Sequence, residues 1–195
     1  MADTIIDSLY KEFTDLLSFL DKAKEISLRS TVDVTFKKTL ALSAASYFED
    51  EIRKLLLKFV DESSNSNNLL ISFVRNKAIA RQYHTYFDWR GKNANSFFSL
   101  FGDEFKQSAV EDINSDENLK QSIKDFLDLG NTRNELAHLN FANIELNKTA
   151  EEVYEQFKNA QKFLAYVKKK LNEFHENGEQ GAALDGDSAA LHPRQ

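Results

Sequence analysis

The chain has 195 residues, 42% of them hydrophobic and 16 of them Phe, so it can bury a substantial single-domain core and is too apolar for disorder over most of its length. It has no cysteine, which excludes a disulfide framework, a thiolate nucleophile and a Cys-based zinc site. The net charge of −6 favours solubility and gives no global reason to expect nucleic-acid binding, so local charge has to be read separately.

Pro193 is the one proline, and three of the six glycines lie from Gly178 onward, so almost nothing between Met1 and Asn177 breaks a helix. An all-α fold follows, a bundle of long antiparallel helices joined by shorter ones. The opening MADTIIDSLYKEF lacks the basic stretch and apolar run of a signal peptide, and no later run is long enough to span a bilayer. A soluble, cytoplasmic protein without membrane contact is the expectation.

Ile5, Ile6, Leu9, Phe13, Leu16, Leu17 and Leu20 recur at helical spacing and predict a first amphipathic helix. A second, longer one is expected from Asp33 to Val60. Leu40, Ala44, Phe48, Ile52, Leu55, Leu56 and Phe59 form its buried side, and Ala41, Ala44 and Ala45 permit close approach by a neighbour. The polar run from Asp61 to Asn68 reads as a loop, and LLISFVRNKAIARQYHTYF after it as a third helix. Two glycines and aromatic clusters between Asp88 and Val110 predict short helices joined by turns. ENLKQSIKDFLDL reads as a helix that ends at Gly130, and Thr132-x-x-Glu135 matches a capping box that would restart one beside Arg133. A second box, Thr149-x-x-Glu152, opens a final helix with Val153, Phe157, Ala160, Leu164, Val167 and Leu171 as its apolar stripe. Residues 1–176 are read as one domain. The segment from 177 to 195 has no aromatic residue and reads as a disordered or artificially appended tail.

Within DLGNTRNELAHLNF, Asp128 to Phe141, three polar residues stand where core residues would be usual: Arg133, Asn134 and His138. With Thr132 as N-cap, Arg133 and Asn134 would occupy a first turn, where free backbone N–H groups favour an anion such as a nucleotide phosphate. Asn134 and His138 share a helix face, whereas Arg133 and His138 are about 140° apart, a gap that a long Arg or a second protomer would have to close. Imidazole moves protons near neutral pH and guanidinium holds phosphate as charge develops, so the set suits phosphodiester cleavage. The competing reading is that Arg133 pairs with Glu135 or Asp128 and that His138 is a satisfied, half-buried histidine.

Two further sets carry charge. Glu49, Asp50 and Glu51 form an acidic cluster on the second helix, in which Glu49 either orients Arg133 or belongs to a solvated run with Arg53 and Lys54. No His–carboxylate or Asp-x-Asp set accompanies it, so no metal ligands and no cofactor are assigned. Arg75, Lys77, Arg81, Arg90 and Lys92 face only Asp88 in their own segment and alternate with Tyr83, His84, Tyr86, Phe87 and Trp89. Such interleaving can track a phosphate backbone and stack unpaired bases, or it can serve a core or an interface. His84 taken alone is assigned to structure.

The motif TRNELAH resembles the signature of the HEPN superfamily, an Arg, a polar residue and a His a few positions beyond. ASYFEDEIRKLL, NANSFFSLFGDEF and FLDLGNTRNELAH, in that order, resemble the RiboL-PSP-HEPN branch and its MAE-type relatives across roughly Leu40 to Tyr166. The resemblance implies an α-bundle that forms a homodimer with two Arg–His motifs facing across a cleft. It also implies a metal-independent endoribonuclease of toxin–antitoxin or anti-phage defence systems, leaving 2′,3′-cyclic phosphate ends, and an antitoxin of nucleotidyltransferase type or another defence protein as partner. By position, Arg133 and His138 would be the catalytic pair and Asn134 the residue that positions them. The alternative is a non-catalytic helical adaptor.

Overall fold

A computed structural model describes the backbone of residues 3–189 and the side chains of residues 3–176. Every regular element in that span is helical, in line with the scarcity of helix breakers. The order is α1 (Ile5–Lys22), α2 (Ile26–Ser63), α3 (Asn68–Val74), a π-turn (Arg75–Ile79), α4 (Tyr83–Tyr86), α5 (Asn95–Phe98), a 3-10 turn (Ser99–Phe101), α6 (Asp103–Ser115), α7 (Glu117–His138) and α8 (Ala150–Ala189). The backbone of α8 thus continues past residue 177. The side chains of the expected tail, and all of residues 190–195, lie outside the described residues.

The long helices α2, α7 and α8 pack on one another, and α1 folds back on α2. At their centre Phe48 of α2, Phe126 of α7 and Phe157 and Phe163 of α8 are all buried, with Phe48 5.4 Å from Phe126 and Phe126 4.9 Å from Phe163 between ring centroids. Burying each such ring stabilises the fold by about 1.5–3 kcal/mol, and their edge-on arrangement suits the ring quadrupoles. Ala41, Ala44 and Ala45 are buried on α2, as expected of residues that admit a close neighbour.

The capping box Thr149–Glu152 forms: the Thr149 backbone N–H donates to Glu152 at 2.7 Å, and the Glu152 N–H donates to the Thr149 hydroxyl at 3.1 Å. A box not singled out in the sequence starts α1, where Thr4 and Asp7 exchange the same pair of bonds. Asp7 also accepts from the Tyr154 hydroxyl at 2.6 Å and from Lys158 Nζ at 3.0 Å, which fastens α1 to α8. Burial alone would raise the Asp7 carboxyl, but the bonds from Tyr154, Thr4 and Lys158 outweigh it and hold the group well below the usual carboxylate range.

Several expected boundaries move. Helix α2 starts at Ile26 rather than Asp33, because docking on α1 carries the weakly helical ISLRSTV: Phe13 stacks on Phe36 and Arg29 pairs with Asp21 at 2.6 Å. At its other end α2 runs to Ser63, and the loop shrinks to residues 64–67, where Asn65 and Ser66 take positive φ. The third helix is not continuous. After α3 the π-turn buries Ile79, Arg81 adopts a left-handed φ of 62°, and the chain re-enters a helix at Tyr83. The Tyr86 hydroxyl closes this bend on the Ala78 carbonyl at 2.6 Å.

The largest correction concerns Gly130 and Thr132. Helix α7 passes unbroken through both, capped by Asp116 at its start and ending at His138, so Gly130 ends nothing and Thr132 caps nothing. Gly130 is there for space: a Cβ would lie 2.1 Å from Cζ3 of Trp89. Glu135 does not reach back to Thr132 and accepts instead from Asn131 Nδ2 at 3.0 Å. Arg133 and Asn134 therefore sit near the C-terminal end of a long helix. The proposed anion site on free first-turn N–H groups does not exist there.

Candidate active site

Two segments build the site. The first is the last two turns of α7, which carry Arg133 and Asn134, both half-buried, and the exposed His138. The second is the bend and short helix from Arg81 to Trp89. Trp89 joins them: its indole packs over Gly130, and its Nε1 donates to the His84 carbonyl at 3.0 Å. The connection after His138 is also tied down, since Lys37 and the buried Lys38 donate to the carbonyls of Leu146 and Phe141 at 2.7 and 3.0 Å. The ammonium of Lys38 lies 5.2 Å from the Phe141 ring, which helps offset its burial.

Between these segments is a cavity of about 540 Å³, a size suited to a nucleotide-sized group. Arg133, Asn134 and His138 all line it, with Arg81, His84 and Glu49 around them and Tyr83 and Trp89 as an aromatic wall whose ring centroids are 5.3 Å apart. Arg133 and His138 thus line one cavity although they stand about 140° apart around the helix. A second cavity of about 420 Å³ adjoins it, sharing Trp89, Asn134 and His138 and adding Arg90 and the exposed Leu139.

Arg133 is oriented on both sides. Its Nη1 donates to the Asn134 side-chain oxygen at 3.2 Å, and its Nη2 lies 3.7 Å from the Glu49 carboxylate on α2. Both side chains of that ion pair are about one-third exposed, so it aims the guanidinium and adds little to stability. Glu135 and Asp128, the surface partners considered for Arg133, do not pair with it. Burial, reinforced by the nearby Glu49 charge and opposed by Arg133, pushes the Tyr83 hydroxyl far up, so it stays protonated.

The remaining candidates divide. Asp50 and Glu51 both bind Lys54, at 2.6 and 2.9 Å, and form the solvated charge run. Of the basic set, Arg81 reaches the first cavity and Arg90 the second, whereas the exposed Arg75, Lys77 and Lys92 line neither. Sequence reasoning assigned His84 to structure and missed its place in the cavity wall, because only the break at Arg81 turns it towards α7. Among the described residues no group of three or more His, Asp or Glu side chains converges as a metal site, and no helix is long and apolar enough to cross a membrane.

No curated protein and no solved structure matches the chain significantly. The RiboL-PSP-HEPN family model matches residues 7–173, a longer span than the segments that suggested the resemblance and one that includes every residue of the cavity. Such membership is consistent with ribonuclease activity, which many HEPN proteins have. The chain belongs to the RiboL-PSP-HEPN family of the HEPN superfamily.

Proposed function

We propose that this chain is a metal-independent endoribonuclease that cleaves RNA by attack of a ribose 2′-hydroxyl on the adjacent phosphate. The observation that carries the reading is the convergence of Arg133, Asn134 and His138 on one cavity with Arg81 and an aromatic wall. Arg133 would hold the phosphate as negative charge builds in the five-coordinate state. Asn134 and Glu49 keep the guanidinium aimed, and His138 moves a proton between the reacting oxygens and solvent. Arg81 and Arg90 would take flanking phosphates, and Tyr83 and Trp89 would stack an unpaired base.

The same reading makes the protein a cytoplasmic homodimer, with the exposed Leu139 beside His138 as part of the contact. It would act as a toxin or effector in a toxin–antitoxin or anti-phage defence system and be restrained by an antitoxin of nucleotidyltransferase type or another defence protein. A helical adaptor is the second reading. It is favoured by the apolar side chains that α3 exposes, Leu69 at 85% and Phe73 at 64%, which suit a protein partner.

Incubation with total RNA in EDTA tests the proposal. Cleavage that persists and leaves 2′,3′-cyclic phosphate and 5′-hydroxyl ends supports it. Intact RNA at high protein concentration favours the adaptor.

A further inference from the structure

Tyr83 brings more to the cavity than a face for stacking. Its ring is half-buried and held by Trp89 at 5.3 Å, Phe87 at 6.0 Å and Tyr86 at 6.2 Å between centroids. Stacking a base uses the face of a ring, and the hydroxyl stands at its edge. The hydroxyls of Tyr86, Tyr154 and Tyr166 all donate within the fold, to the Ala78 carbonyl and to the carboxylates of Asp7 and Asp112. The Tyr83 hydroxyl makes no hydrogen bond with the described residues, although its residue lines the cavity beside Arg133. A donor largely withdrawn from water and left without a partner costs stability unless a ligand accepts from it.

The surrounding charges place this hydroxyl. Glu49 and Arg133 both act on it electrostatically, so it lies on the side of the cavity to which the guanidinium is aimed. Burial, with the Glu49 charge, keeps it protonated, and it remains a neutral donor at physiological pH. Arg133 is held by Asn134 and Glu49 and makes no bond with Tyr83, so the two donors reach the cavity independently. A phosphodiester has two non-bridging oxygens, and both gain negative charge as the five-coordinate state forms. Donors fixed in advance around those oxygens are worth most at that point.

We propose that the Tyr83 hydroxyl donates a hydrogen bond to one non-bridging oxygen of the phosphate that Arg133 holds, and that this bond strengthens as the O2′–P bond forms and the P–O5′ bond breaks. Tyr83 is then a catalytic residue that touches the reacting group and gives up no proton. The homodimer of the proposed function carries the same arrangement in each protomer. The hydroxyl acts on the phosphate at its own Arg133, whichever copy's His138 moves the proton. This rests on the ribonuclease reading above.

The test compares the full-length protein with Tyr83→Phe, which keeps the ring and its packing and removes one oxygen atom. Three short RNAs are used: one normal, and two with sulfur in place of one or the other non-bridging oxygen of the linkage that the parent cuts. Sulfur accepts hydrogen bonds poorly, so a substrate with sulfur facing Tyr83 has already lost the contact in the parent. Tyr83→Phe should cut the normal RNA about 10²-fold more slowly than the parent. The same gap should persist on one sulfur diastereomer and nearly vanish on the other. A smaller folded fraction would instead lower all three rates by one common factor. Parental cleavage of the normal RNA by Tyr83→Phe, or an equal loss on all three substrates, overturns the proposal while the ribonuclease reading stands. A parent that cleaves no RNA removes both.

Discussion

The indole of Trp89 occupies the space that a side chain at position 130 would fill, and Cζ3 would lie 2.1 Å from a Cβ on Gly130. This contact is why α7 carries a glycine in its interior, and it holds the two halves of the cavity together. Replacing Gly130 with Ala should expel the ring, cost about 1–3 kcal/mol of stability and collapse the cavity. Trp89 is the chain's one tryptophan, so its fluorescence reports the change directly. An unshifted emission spectrum and unchanged Tm in Gly130→Ala would mean that the ring is not seated there.

The left-handed Arg81 makes a separate prediction. Glycine adopts that φ freely, so Arg81→Gly should leave stability unchanged or raise it by up to about 1 kcal/mol. It should nonetheless weaken RNA binding and lower the salt dependence by about one released counterion. Titration of labelled RNA at several salt concentrations reads this. Equal affinity and slope would place Arg81 outside the RNA path.

Glu49→Gln keeps the shape of the side chain and removes the charge that faces Arg133. Stability should change by less than about 1 kcal/mol, since the ion pair is partly exposed. Cleavage should fall by up to about 10²-fold, chiefly in kcat, because a misplaced guanidinium meets the transition state poorly. An unchanged kcat would leave Glu49 as a bystander at the cavity rim.

Much of this fold is written in hydrophobic spacing. The stripes of α1, α2 and α8 follow from Phe13, Phe48 and Phe157 and their neighbours at helical intervals, and the Thr149–Glu152 cap from its four-residue pattern. Gly130 and Thr132 misled because the same residues end and start isolated helices. Only the tertiary approach of Trp89, 41 positions earlier in the chain, shows that glycine serves packing here. The break at Arg81 was equally hidden, since no glycine or proline marks it. That break is what brings Arg81 and His84 to the cavity, so the sequence could single out Arg81 and the aromatic residues around it but not their place opposite α7, nor the place of His84.

Asp7 gives a pH signature. Its carboxyl is held below the ordinary value of 3.8, so the folded state binds its proton less readily than the unfolded chain. The stability it contributes is full above the unfolded pKa and is lost as pH falls through the folded one. Asp7→Asn should therefore cost about 1.5–3 kcal/mol at neutral pH, and its gap from the parent should narrow below about pH 4. Thermal melts across that range test it, and a constant gap would show that the charge on Asp7 does not fasten α1 to α8.

The most direct test of the central claim is a double-mutant cycle on Arg133 and His138, with RNA cleavage measured in EDTA and the fold checked by melting. Each alanine variant should melt within about 1 kcal/mol of the parent and lose about 10²–10⁴-fold in rate. The double variant should be little worse than the poorer single one, because both groups serve the same transition state. Cleavage by the purified His138→Ala protein at the parental rate would contradict the account and leave the end of α7 without a catalytic role.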